Sequence, residues 1–283
     1  MIAFLGMGLL GTNFVRAMIK KGAQVQVWNR TPEKATALET YGAKAFVNVT
    51  DAVNGADVIH LTLKDDATVN EVLAAASPGL KQGAIIVDHT TTSAEGAIQR
   101  TREWKERGFT YLHAPVFMGP ANALESSGYM LVSGDQTVIR KLEPQLSTMT
   151  GKVINFGTAE GKAAGMKLIG NIFLVSMTAG LADTLSLAKA LDIPVSDVST
   201  LFESWNPAST LQFRLNKIAG GKYDHPSWEL NMARKDTGLF MEAAKKGGTK
   251  LAVIPAIATE MDRWIEKGHG HEDWTVIGKD AAS

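Results

Sequence analysis

Short apolar runs alternate with amphipathic stretches through the first half of the chain. Ile2–Leu5, Val25–Trp28, Val58–Leu61 and Ile85–Val87 are brief, largely apolar and bounded by Gly, Asp or Asn, the pattern of buried strands. Between them, Thr12 to Lys21, Pro32 to Tyr41 and Ala94 to Arg107 space their apolar residues as helices do. The second of these opens with Thr31-Pro32, a capping residue followed by proline at the first helical position. Strand and helix alternating at this spacing predict a doubly wound, mostly parallel sheet. Tyr111–Ala114, Tyr129–Ser133 and Val153–Phe156 read as further strands, with a helix from Gln136 to Thr148.

After Gly161 the β-like runs nearly vanish, and helical periodicity rich in Ala, Leu, Met and Lys takes over. Gly161 to about Leu191 contains no proline and predicts one long helix; Pro194, Pro207, Gly220-Gly221, Pro226, Gly247-Gly248 and Pro255 punctuate further helices. The reading is an α/β domain over 1–160 and an all-helical domain over 161–283, opened by the long helix.

Composition narrows the function classes. The 283 residues are 45% hydrophobic, enough for a sizeable core. Lys and Arg number 29, as do Asp and Glu, so no charge excess points to nucleic acid or an anionic membrane surface. The absence of cysteine excludes disulfides and thiolate metal sites, and fits a cytoplasmic location. Met1 to Leu5 lacks a basic leader and runs straight into glycines, so no secretory signal is expected. Leu168 to Leu191 is apolar but interrupted by Asn171, Asp183 and Lys189, so no membrane span is expected either. His269 to Asp273 pairs two histidines too tightly for one helix face. It reads as a solvated helix start with Glu272 or Asp273 near the cap, and no metal site is predicted. Met7, Met118, Met166, Met177 and Met232 read as core and pocket walls.

Candidate chemistry begins at Gly6-Met7-Gly8-Leu9-Leu10-Gly11, a G-x-G-x-x-G between a predicted strand and a predicted helix. In that Rossmann context the first glycine makes the turn and the second admits a pyrophosphate to the backbone. The third lets helix and strand pack closely, and the helix N-terminus supplies N–H groups to the phosphates. The end of the second strand carries Asn29-Arg30-Thr31, with no carboxylate for ribose hydroxyls and a guanidinium able to pair with a 2′-phosphate. This predicts NADP(H). Thr62-Leu63-Lys64-Asp65 and Asp88-His89-Thr90-Thr91-Thr92-Ser93 follow two further strands, where ligands bind in such sheets; Leu63, Lys64 and Thr91 are cofactor candidates beside plain helix caps. Gly165 to Asn171 sets Lys167 and Asn171 one helical turn apart in an otherwise apolar run. A lysine there is costly unless used, and such lysines often have depressed pKa values and move protons.

Gly6 to Gly11, His113-Ala114-Pro115-Val116 with Gly119, Gly165 to Asn171, and Lys235-Asp236 follow the order and spacing of the β-hydroxyacid dehydrogenases. The chain resembles that family, which includes 3-hydroxyisobutyrate dehydrogenase, tartronate semialdehyde reductase and the glyoxylate/succinic semialdehyde reductases. Asn29-Arg30-Thr31 and Pro120 to Ala123 look most like the NADPH-linked glyoxylate/succinic semialdehyde branch. The resemblance implies a Rossmann domain followed by a helical domain, as in 6-phosphogluconate dehydrogenase. It also implies Lys167 as catalytic proton donor, Asn171 as its partner on substrate, and Lys235 near the nicotinamide. Asp236, and Trp228 as an aromatic wall, are implied at the substrate pocket. One departure stands out. After Ala-Pro-Val the family usually continues with a serine and small residues that hold the substrate carboxylate, whereas this chain has Phe117-Met118-Gly119. The pocket is expected to be smaller and more apolar.

The reading is an NADP(H)-dependent reductase of a small aldehyde or semialdehyde acid, or in reverse a dehydrogenase of the corresponding β-hydroxyacid, with Lys167 as proton donor. Two rivals are an imine reductase, against which Lys167 argues, and a non-catalytic dinucleotide-binding scaffold. A long central helix in a helical second domain predicts a homodimer or homotetramer.

Overall fold

A computed structural model describes residues 1–282. Its first compact unit spans Met1–Ile172 and the second begins at Phe173. In chain order the first unit contains β1 (Ile2–Leu5), α1 (Leu9–Lys20), β2 (Val25–Trp28), α2 (Pro32–Thr36), β3 (Lys44–Phe46), α3 (Val49–Val53), β4 (Val58–Leu61) and α4 (Asp66–Ala76). There follow β5 (Ile85–Asp88), α5 (Ala94–Glu106), β6 (Thr110–His113), β7 (Val116–Phe117), α6 (Pro120–Glu125), β8 (Tyr129–Val132), α7 (Gln136–Ser147) and β9 (Lys152–Asn155). Helix α8 (Lys162–Ala190) starts in this unit and continues into the second.

Six strands form a parallel sheet in the order β3-β2-β1-β4-β5-β6. The order reverses between β1 and β4, the switch point outside whose C-terminal ends such sheets bind ligands. A second sheet, β7-β8-β9, pairs β7 antiparallel and β9 parallel to β8. The runs read as further strands near Tyr129 and Val153 therefore build a sheet of their own.

Strand residues alternate between two cores. Phe4, Val27, Val87 and Leu112 pack with Phe14 of α1, Met130 and Val132 of β8, and Ile139, Leu142 and Leu146 of α7. Ala3, Leu5, Ile59, Leu61 and Ile86 pack with Val49, Val53, Val69, Leu73 and Trp104 on the other face. Helices on both faces explain why these strands are apolar runs and not alternating ones.

One local expectation changes. The helix expected over Pro32 to Tyr41 stops at Thr36 and resumes as a 3-10 turn at Glu39–Tyr41. Only Ala35 and Leu38 are buried there, and Gly42 at φ 100° swings the chain into β3. Helix α1 begins at Leu9, where the glycine motif places its start, with Gly8 as its N-cap.

The second unit adds α9 (Val195–Ser204), α10 (Leu211–Gly220), α11 (Leu230–Lys246) and α12 (Ile254–Trp264). Its core is Tyr223, Leu230, Ala233, Met261, Trp264 and Val276. Asp183 of α8 accepts hydrogen bonds from the N–H groups of Ala252, Val253 and Ile254 at 2.6, 2.8 and 3.0 Å, which caps the start of α12. Asp273 is a cap, as expected, but not a solvated one. It is fully buried and accepts from Lys217 Nζ, Ser227 N–H and hydroxyl, and Thr275 N–H and hydroxyl at 2.6–3.1 Å. Burial alone would raise its pKa, but the donors on Thr275, Lys217 and Ser227 hold it well below the usual carboxylate value. Helix α8 is long and apolar enough to cross a membrane by length and composition, and little of its most apolar stretch is buried.

Candidate active site

The glycine loop lies at the switch point, and its three glycines face different neighbours. A Cβ on Gly6, whose φ is 97°, would sit 2.2 Å from the Thr62 carbonyl oxygen. One on Gly11 would sit 1.9 Å from the Gly6 carbonyl oxygen. Both are contacts that close the β1–α1 turn onto β4. A Cβ on Gly8 would meet nothing within 4 Å. The bare backbone at Gly8 therefore serves no packing need of the protein, as expected where a pyrophosphate lies against the chain. The loop is held by Gly6 N–H on the Trp28 carbonyl (2.9 Å), Thr62 Oγ1 on the Gly6 carbonyl (3.0 Å) and Met7 N–H on Asn29 Oδ1 (2.9 Å).

A groove of about 380 Å³ runs from Gly6 and Gly8 past Asn29, Arg30, Thr31 and Lys34 to Leu63 and Lys64. Most of the predicted cofactor residues thus converge. Leu9 is exposed and Leu10 partly buried at the start of α1, and Met7 is buried beneath the loop. Asn29 also braces the loop: its oxygen holds Met7 N–H and its amide nitrogen donates to the Thr31 carbonyl at 2.9 Å. Arg30 and Lys34 are exposed on the groove and form no ion pair among the described residues. Thr91 is exposed just past β5, while Lys64 lies 3.6 Å from Asp65, the N-cap of α4.

Beneath these loops is a buried polar network that sequence reasoning did not resolve. Arg100 Nε donates to the Tyr111 hydroxyl (2.9 Å), which donates to Asp88 Oδ2 (2.6 Å), while Asp88 Oδ1 accepts from Thr90 N–H (2.8 Å). The Thr90 hydroxyl accepts from Leu63 N–H (2.9 Å), and the Thr90 carbonyl lies 2.8 Å from His113 Nε2. Arg100 also reaches Asp66 Oδ1 at 2.8 Å. Beside this network, His60 and His89 stack with ring centroids 5.2 Å apart, and His60 Nδ1 lies 2.9 Å from His89 Nε2. Burial pushes both histidines down, His89 to about 4. The one available signal was polarity where apolarity is expected: His60 inside the run of β4 and Asp88 at the end of β5.

The proton-transfer candidate sits on α8. Lys167 is nine-tenths buried, with Nζ donating to Asn171 Oδ1 at 3.0 Å and lying 4.2 Å from the centre of the Phe117 ring. Burial lowers its pKa from the ordinary lysine value. The ring reaches α8 because position 170 is glycine: a Cβ there would sit 2.2 Å from Phe117 Cζ. Glycine inside a helix costs about 1 kcal/mol relative to alanine, a cost that makes sense only through this contact. Met118 is partly buried against the first core, and Gly119 N–H donates to Asn122 Oδ1 at 2.9 Å. Trp228, Lys235 and Asp236 belong to the second unit. There Trp228 packs edge-on against Trp274 at 5.7 Å, and Lys235 Nζ lies 3.0 Å from Asp236 Oδ1 on α11.

Residues 1–157 match the NAD binding domain of 6-phosphogluconate dehydrogenase. The 3-sulfolactaldehyde reductase of Escherichia coli is 26% identical over 282 residues, covering 98% of this chain and 94% of that protein. Glyoxylate/succinic semialdehyde reductase 2 of Arabidopsis thaliana is 29% identical over 98% of this chain and 78% of its own length. An imine reductase of Myxococcus stipitatus, solved in complex with NADP+, shares the fold with a TM-score of 0.91 over 98% of each chain at 20% identity. The matched domain, the parallel sheet with its glycine loop and the helical part that follows make this chain an oxidoreductase of the β-hydroxyacid dehydrogenase family, with an NAD(P)-binding Rossmann domain.

Proposed function

We propose that the protein is an NADP(H)-dependent reductase of a small aldehyde, ketone or semialdehyde acid, with Lys167 as proton donor. In reverse it oxidises the corresponding β-hydroxy compound. The observation that carries this reading is the buried Lys167 bonded to Asn171 in a chain whose glycine loop leaves room at Gly8 for a dinucleotide. Arg30 and Lys34, exposed on the groove beside Asn29 and Thr31, supply positive charge for a 2′-phosphate where an NAD site would carry an acid. The reduced dinucleotide supplies the hydride that reaches the carbonyl carbon. Negative charge then grows on the carbonyl oxygen, and the Lys167 ammonium stabilises it and gives it a proton. Asn171 Oδ1 accepts from Lys167 Nζ, so its amide nitrogen is left to orient the substrate oxygen. Burial makes the ammonium a readier acid than a solvated lysine.

The test is NADPH consumption with a panel of glyoxylate, succinic semialdehyde and uncharged aldehydes, run beside Lys167→Ala. Loss of about 10²–10⁴-fold in turnover with NADPH binding intact supports the reading. Because the donor must be protonated, wild-type reduction is expected to fail as pH rises through a value below the ordinary lysine pKa of 10.5. No carbonyl turnover despite tight NADPH binding overturns the reading; imine turnover would then favour the first rival, and none the scaffold.

We further propose a homodimer. Most exposed large apolar side chains among the described residues lie from Leu168 onward, including Ile172, Phe173, Leu174, Val175, Trp205, Phe213 and Leu215. Exposed apolar side chains this numerous are the kind that protein–protein contacts cover, and a second copy of the chain is the partner proposed for them. Asp183, with its three backbone donors, anchors α8 as a protein-packed helix. Sedimentation of a monomer, or partition into membranes, would refute this.

A further inference from the structure

We propose that Phe117 selects uncharged carbonyl substrates bearing an apolar group, and rejects carboxylate-bearing ones. The inference rests on the reading of Lys167 as the proton donor of a carbonyl reductase. Three observations support it. The Phe117 ring centre lies 4.2 Å from Lys167 Nζ, so the ammonium already faces the negative π-surface of the ring. That surface attracts a cation and repels an anion, and a carboxylate seeking Lys167 would have to displace the ring. The ring is also held: its tip packs on the bare backbone of Gly170, in the space that a Cβ would fill at 2.2 Å.

Around Phe117 the donors that would compensate an anion are largely taken. Gly119 N–H donates to Asn122 Oδ1 (2.9 Å), and Asn122 Nδ2 donates to Ser127 Oγ (3.0 Å). Phe117 itself pairs with Tyr129 in the β7–β8 ladder. No lysine or arginine occurs between His113 and Gly128. A carboxylate brought to this segment would be desolvated and drawn to Lys167, and pairing there would occupy the proton donor in the ground state. A neutral carbonyl leaves the ammonium to its oxygen, and an apolar substituent gains contact with the Phe117 ring.

The test is steady-state kinetics of the full chain with NADPH on two aldehydes of matched shape, succinic semialdehyde and 4-methylpentanal, for wild type, Phe117→Ser and Phe117→Leu. NADPH affinity of each variant is measured by fluorescence titration. Wild type is expected to favour 4-methylpentanal in kcat/KM by about ten-fold or more. Phe117→Ser is expected to cut that ratio at least about ten-fold, chiefly through a lower KM for the semialdehyde, while Phe117→Leu keeps the apolar cover and most of the preference. A wild-type preference for succinic semialdehyde overturns the inference and leaves the reductase standing, and this arm needs no variant to fold. A ratio unmoved in a Phe117→Ser protein that binds NADPH normally also overturns it. Turnover of neither aldehyde by wild type, with NADPH bound, removes the reductase reading and this inference together.

Discussion

Acidification should weaken the first unit from beneath its cofactor loops. Gln145 Nε2 lies 3.1 Å from His60 Nε2, His60 Nδ1 lies 2.9 Å from His89 Nε2, and His89 Nδ1 lies 2.8 Å from the Ala114 carbonyl oxygen. Read as a directed chain, with Gln145 as donor, the network assigns one proton to Nδ1 of each ring, both neutral. A second proton on either ring would set two donors face to face in a core shared with Phe4 and Phe14. Burial therefore holds both histidines below 6.5, with His89 at about 4. The unfolded chain takes up these protons near 6.5 and the native state does not. Stability is thus whole above pH 6.5 and is lost as pH falls from there toward 4. The interval for His89 corresponds to about 3 kcal/mol in full, of which about 2 kcal/mol falls between pH 7 and 5; His60 acts in the same direction. Against a typical total of about 5–15 kcal/mol this is a large share. Urea midpoints at pH 7, 6 and 5 should fall more steeply for wild type than for the His60→Gln/His89→Gln double variant. Hydrogen exchange should place the loss in β4 and β5. Equal pH slopes in the two proteins would refute the assignment of neutral, buried rings.

The three glycines of the loop should separate under substitution. Gly8→Ala should keep wild-type stability, because its methyl meets nothing within 4 Å, yet lose NADPH binding by fluorescence titration. Gly11→Ala places a methyl 1.9 Å from a backbone oxygen and should lower stability by about 1–3 kcal/mol or more in urea denaturation as well. Arg30→Ala should raise KM for NADPH by about 10–100-fold, the worth of a hydrogen bond to a charged group, with KM for NADH little changed; equal effects on both cofactors would assign Arg30 no part in 2′-phosphate recognition. Asp273→Ala strips the buried acceptor from Lys217, Ser227 and Thr275, and should cost about 3–5 kcal/mol in urea denaturation; a loss under about 1 kcal/mol would contradict its role as the hub of the second unit.

The parts of this molecule legible in the sequence are those whose role is set within a few residues. Ile2–Leu5, Val25–Trp28 and Val58–Leu61 are strands with the bounds expected of them, because burial on both faces turns each into a run that needs no partner to recognise. The glycine loop and the long α8 are legible for the same reason. Strands β3 and β7 escape notice because they have only three and two residues, and exist only by pairing with β2 and β8. The site divides along the same line. Lys167 and Asn171 lie one turn apart and are read directly, whereas His60 meets His89, and Asp88 meets Tyr111, only through the register of β4, β5 and β6. Asn29 carries hydrogen-bonding chemistry suited to a cofactor, but only the fold shows that Met7 N–H bonds its oxygen and that it also braces the glycine loop.

The glycines of α8 make the point most sharply. Gly165, Gly170 and Gly180 look alike in sequence, each an unfavoured residue inside one helix. A Cβ on Gly165 or Gly180 would meet nothing within 4 Å, whereas one on Gly170 would strike the Phe117 ring. Phe117 looked like the loss of a carboxylate-binding side chain, and Gly170 like an ordinary weak spot in a helix. Brought together beside Lys167 they form one device: a ring seated on bare backbone, facing the Lys167 ammonium. A change at either residue should therefore be felt at the other, so that Gly170→Ala, which unseats the ring, should move the substrate preference in the same direction as Phe117→Ser.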